Sequence, residues 1–85
     1  MQCAIYRSNK KADTYLYVQE EGNFSRVPPD LLNLLGQLDL VMTLELTPDR
    51  TLARADPEQV RQQLGTQGYY LQLPPSDVAD SSNQG

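Results

Sequence analysis

Eighty-five residues make one domain, and a chain this short buries only about 60% of its unfolded surface. Hydrophobic residues are 39% of the chain, with no Trp and one Phe. Leu, Val, Ile and Met can cover one sheet with helices, which excludes a deep cofactor cavity of about 300 Å³ or more. A net charge of −4 repels a phosphate backbone, and one cysteine forbids an internal disulfide.

Gln2 to Arg7 reads as a strand around the apolar run Cys3-Ala4-Ile5-Tyr6. Ser8 to Asp13 is a polar turn carrying Lys10 and Lys11. Thr14 to Val18 is a second strand, because aromatic and β-branched side chains suit a pleated surface. The short link between them predicts an antiparallel hairpin.

A loop follows at Glu20–Asn23, with Gly22 as its turn residue. Pro28-Pro29-Asp30 then opens a short helix: proline is tolerated in the first turn, and an acid suits the positive end of the helix dipole. Its leucines (Leu31, Leu32, Leu34, Leu35) form an apolar face, and Gly36 closes it in a left-handed cap. Leu38 to Leu46 alternates with a period of two. Leu38, Leu40, Met42, Leu44 and Leu46 are expected on one face; Asp39, Val41, Thr43 and Glu45 are expected on the other.

Thr47-Pro48-Asp49-Arg50 reads as a turn. Asp56-Pro57-Glu58 starts a second helix with Asp56 as N-cap, and Ala53, Pro57, Val60 and Leu64 make its apolar stripe. It frays at Gly65–Gly68, and Tyr69–Leu73 is the last strand. The order β-β-α-β-α-β predicts an α+β domain: a four-stranded, mainly antiparallel, bent sheet with helices packed on it. Residues 1–75 are the domain. Residues 76–85 hold one large apolar side chain, Val78, and are expected to be a disordered tail.

Missing residues exclude most chemistry. Without His there is no Ser-His or Cys-His pair and no general base with an ordinary value near neutrality. With one Cys and no His a tetrahedral zinc site lacks ligands, and the five glycines form no phosphate loop. Cys3, inside an apolar strand, reads as a small hydrophobe rather than a nucleophile. Asp56 is explained as a helix cap, and Glu20-Glu21 as a solvated loop. No catalytic residue, metal site or cofactor is expected.

The suggestive residues are cations and tyrosines. Arg7, Lys10 and Lys11 cluster at the first turn, and Arg26 precedes the first helix. With that helix's N-terminus facing the hairpin, backbone N–H groups and these cations would make an anion site. Among Tyr6, Tyr15, Tyr17, Tyr69 and Tyr70, those sharing one face of neighbouring strands would add an aromatic platform for bases or a partner protein. The candidate ligand or partner patch is therefore Tyr6, Arg7, Lys10, Lys11, Arg26, Tyr69 and Tyr70.

Four blocks in order carry a resemblance: Cys3–Lys10, Thr14–Val18, Phe24–Pro28, and Gln67-Gly68-Tyr69-Tyr70-Leu71-Gln72-Leu73-Pro74-Pro75. Together they resemble the YcgL family of small bacterial proteins, from about Cys3 to Pro75. The resemblance implies an α/β/α sandwich around a bent four-stranded sheet and a cytoplasmic protein of gamma-proteobacterial type. It supplies no activity and no catalytic residue. The chain departs from the family at Leu35-Gly36, where relatives tend to carry Phe before the Gly, and in ending ten residues after Pro75, where many continue.

The expected function is a non-catalytic cytoplasmic interaction module that binds a protein or RNA-associated partner. An alternative is a small enzyme that clamps an anionic substrate between Arg7 and Arg26. Direct RNA binding is possible but disfavoured by the acidic charge. No run approaches the roughly 18 apolar residues of a membrane span, so no membrane association is expected.

Overall fold

The computed structural model describes residues 1–47 and 56–74. The expected turn at Thr47–Arg50, the Ala53 end of the helical stripe and the expected tail at 76–85 fall wholly or partly outside the described residues.

Six elements follow one another: β1 (Gln2–Ser8), β2 (Tyr15–Val18), α1 (Pro29–Leu35), β3 (Leu38–Glu45), α2 (Pro57–Thr66) and β4 (Tyr69–Gln72). The strands form one sheet in the order β3-β1-β2-β4, and every neighbouring pair is antiparallel. The β-β-α-β-α-β order and the α+β class read from the sequence hold. No described helix is long and apolar enough to cross a membrane.

Side chains of successive strand residues go to opposite faces, so the two central strands build two cores. On one face Cys3, Ile5 and Tyr17 are buried with Val60 and Leu64 of α2 and with Leu46. On the other, Ala4, Tyr6, Leu16 and Val18 are buried with Val27 and with Leu35 of α1. One helix on each face makes this an α/β/α sandwich.

The leucines of β3 depart from the expected pattern. Ile5 pairs with Met42, but Tyr6 pairs with Leu40, so Val41 is an extra residue with no partner of its own on β1. Such a bulge reverses the facing of everything beyond it. Leu44 therefore packs into the α2-side core and Leu38 into the α1-side core. The unbroken alternation from Leu38 to Leu46 serves both faces, not one. β3 is also an edge strand, and Leu40, Val41 and Met42 are 41–51% exposed.

The helix ends follow their sequences. Asp56 Oδ1 accepts the Glu58 amide at 3.0 Å, satisfying one of the free N–H groups of the first turn. Gly36 stops α1 with φ 72° and ψ −142°. The positive φ is as expected, but this ψ lies outside the left-handed helical region and suits only glycine. Cys3 is buried among apolar neighbours, as its strand position implied.

Candidate functional site

The expected anion site at the hairpin depended on the N-terminus of α1 facing it, and α1 runs the other way. The hairpin abuts the C-terminus of that helix, not its N-terminus. Ser8 Oγ donates to the Leu35 carbonyl at 2.5 Å and accepts the amides of Lys10 (3.1 Å) and Lys11 (2.9 Å). Asn9 N donates to the Gln37 carbonyl, and Asn9 Oδ1 accepts the Gln37 amide. The Lys10 stem lies against Gly36.

The other members of the predicted patch are dispersed. Tyr6 is buried on the α1 face: its hydroxyl accepts the Gly22 amide at 2.7 Å, and its ring meets Phe24 edge-on at 4.9 Å. Tyr69 and Tyr70 are adjacent strand residues and point to opposite faces. Tyr69 packs against the α1-side core, whereas Tyr70 meets Tyr17 edge-on at 5.5 Å on the α2 side.

Arg7 is exposed on the α2 face, in a row with Asp39, Tyr15 and Gln72 that crosses all four strands. Arg26 lies against Gly68, just before the residue that pairs with Val18. Arg7 pairs with Tyr15 at the other end of β2, about 10 Å away along the strand. The structure does not bring the two arginines together, and one small anion does not meet both.

What the fold does build is a recess around Arg26, lined by Gln19, Glu20, Asn23, Arg26 and Gly68, with a volume of about 320 Å³. Three segments converge there: the loop after β2, the end of α2 and the start of β4. Arg26 Nη2 donates to the Thr66 carbonyl at 3.3 Å, and Gln19 Nε2 donates to the Leu64 carbonyl at 3.1 Å. Both tie the loop to the C-terminal turn of α2. Glu20 Oε1 accepts from Asn23 Nδ2 at 2.9 Å, while Asn23 Oδ1 accepts the amide and hydroxyl of Ser25. These bonds hold the loop in shape.

Gly68 makes the recess possible. A β-carbon there would lie 2.6 Å from Arg26 Cδ and Nε, and φ is +91°. The guanidinium carries five N–H donors in a fixed fork, which suits it to a planar carboxylate or a phosphate. The lining includes one carboxylate, that of Glu20, and no Ser, Thr, Cys or Lys. Among the described residues no three His, Cys, Asp or Glu side chains cluster as metal ligands.

Sequence reasoning singled out Arg26 but missed Gln19, Asn23 and Gly68 as its companions. A signal was present: Phe24–Pro28 and Gln67–Pro75 are two of the four blocks that carry the family resemblance, and Arg26 on Gly68 is where they touch.

On the α2 face, Tyr17 lies beneath the helix, and its hydroxyl donates to Gln72 Oε1 at 2.6 Å. Burial, and then the neighbouring Cys3, Tyr70 and Tyr15, push its ionisation up to about 12.

The profile of the YcgL domain matches residues 3–75. A protein of Shigella dysenteriae named Protein YcgL is 54% identical over 76 residues, which are 89% of this chain and 70% of that protein. A YcgL domain-containing protein of Citrobacter koseri is 55% identical over 75 residues, 88% of this chain and 77% of its own. A protein of Nitrosococcus oceani named as a HAD-like hydrolase is 55% identical over 71 residues, 84% of this chain. The match spans only 19% of that longer protein. Four blocks, one fold and these identities agree: the chain belongs to the YcgL domain family.

Proposed function

We propose that this domain is a non-catalytic binding module of the bacterial cytoplasm that docks a carboxylate-bearing segment of a partner protein in the Arg26 recess. The observation that carries this reading is the recess itself: a preformed polar hollow with the Arg26 guanidinium at its wall, the Glu20 carboxylate tied to Asn23, and no Ser, Thr, Cys or Lys in the lining. Gly68 and the bonds to Leu64 and Thr66 hold it in shape before any partner arrives, and preorganisation lowers the ordering cost of binding.

The relatives support a modular role. The domain makes up most of one bacterial protein and 19% of another that is named as a hydrolase. A unit found both in a short chain and within a long one suits a part that attaches to other machinery. A single cysteine and the absence of disulfides accord with a reducing compartment.

The test is an amide-shift titration of isotope-labelled protein with short glutamate-rich peptides, short RNA and inorganic phosphate. Saturable shifts at Gln19–Arg26 and Gly68 with the acidic peptide alone are expected. Shifts confined to Arg7–Lys11, or produced equally by RNA, would contradict the assignment.

A further inference from the structure

We propose that β3 is a self-pairing edge, and that two copies of this chain join through it into one continuous eight-stranded sheet. In an antiparallel pair, hydrogen-bonded partners alternate with partners whose backbone groups point away from each other. Two bonds at the strand limits set this phase: Leu46 N donates to Met1 O at 2.6 Å, and Asn9 N to Gln37 O at 3.0 Å. Counting inward from the first, the outward-pointing partners on β3 are Glu45 and Thr43, opposite Gln2 and Ala4. From the second they are Leu38 and Leu40, opposite Ser8 and Tyr6. The backbone N–H and C=O of Leu38, Leu40, Thr43 and Glu45 therefore face the open side of the sheet, where no described strand lies.

The positions 38, 40, 43 and 45 are symmetric about the point between Val41 and Met42. A second copy laid antiparallel on a two-fold axis at that point sets Leu38 opposite the second copy's Glu45, and Leu40 opposite its Thr43. Each pair occurs twice, and all four residues exchange backbone hydrogen bonds with the other chain. Side chains agree with this register. The β1 partners Ser8, Tyr6, Ala4 and Gln2 place all four residues on the α1 face. Sliding one residue would set α1-face side chains against α2-face ones, and sliding two would leave half of the outward groups unmatched. The bulge thus selects a single register.

Charge agrees as well. Asp39 falls opposite Leu44 and Glu45 opposite Leu38, so no two acids oppose each other, an arrangement that like charges would destabilise. Of the devices that commonly guard an exposed edge, the strand has the bulge and the acids Asp39 and Glu45, which the two-fold register accommodates, and it lacks Lys and Pro. Its middle exposes Leu40, Val41 and Met42. A two-fold pairing closes on itself and stops at a dimer. The Arg26 recess adjoins β4 at the far edge, so both recesses stay open and this inference stands apart from the proposed docking.

The experiment has two arms. The double variant Leu40→Cys with Thr43→Cys is oxidised mildly and run without reductant. Within one chain these positions lie about 10 Å apart along the strand, too far to bridge, whereas hydrogen-bonded partners across the interface are about 5.5 Å apart. Cross-linked dimer is the expected product. In the wild-type protein, sedimentation and amide exchange are followed with concentration. Slowing of exchange by about tenfold or more at Leu40 and Thr43 as dimer forms is expected. Sedimentation as a monomer up to about 1 mM, a weak association by any standard, with fast exchange at both amides, would overturn the proposal. So would a dimer whose protection lies elsewhere.

Discussion

At Gly68 a missing side chain leaves the space that Arg26 occupies. Gly68→Ala would place a β-carbon 2.6 Å from Arg26 on a backbone with φ +91°. It is expected to cost about 1–3 kcal/mol, read by urea denaturation, and to displace Arg26. Tyr17 makes the second prediction. Tyr17→Phe leaves the buried Gln72 Oε1 without its donor, and a loss of about 1–3 kcal/mol is expected near neutral pH. The same hydroxyl ionises at about 12 in the folded chain, above its ordinary 10.0. The unfolded chain therefore releases this proton first as pH rises. The contribution is complete below about pH 10 and is lost as pH climbs through about 12. Between these values stability should fall more steeply in the wild type than in Tyr17→Phe, as measured by denaturation at about pH 9 and about pH 11.

At the scale of elements, Ser8 joins the hairpin to α1. One buried hydroxyl donates to Leu35 and accepts two hairpin amides. Ser8→Ala should cost about 1–3 kcal/mol and loosen the Lys10–Lys11 turn, seen as faster exchange of those two amides. Asp56→Ala removes the cap of α2 and should cost about 1 kcal/mol, with Asp56→Asn retaining most of it. Most elements were legible because their signals are local. Proline and acid start both helices, Gly36 ends one, and Tyr15–Val18 favours a strand whatever surrounds it. The faces of β3 were not legible. Alternation names two faces only if the register runs straight, and the bulge at Val41 arises from pairing with β1, which no local pattern encodes.

Over the whole molecule, one helix covers each face, and the sheet ends in two unlike edges. Lys10 and Arg7 were conspicuous in the sequence because they are close in it. The fold gives Lys10 to the end of α1, sets Arg7 among Asp39, Tyr15 and Gln72, and leaves Arg26 at the other end of β2. The recess was harder to read for the opposite reason: Gln19 and Arg26 share one loop, but Gly68 is far along the chain and meets them only when β4 pairs with β2. Composition did exclude much of the chemistry, since a chain without His offers few ways to move a proton near neutrality.

The most direct test is a calorimetric titration of this chain with the short glutamate-rich peptides. Saturable binding is expected, weakened about tenfold by Arg26→Ala and left unchanged by Arg7→Ala, a loss typical of one charged contact. No saturable heat, or weakening by Arg7→Ala alone, would contradict docking at the Arg26 recess.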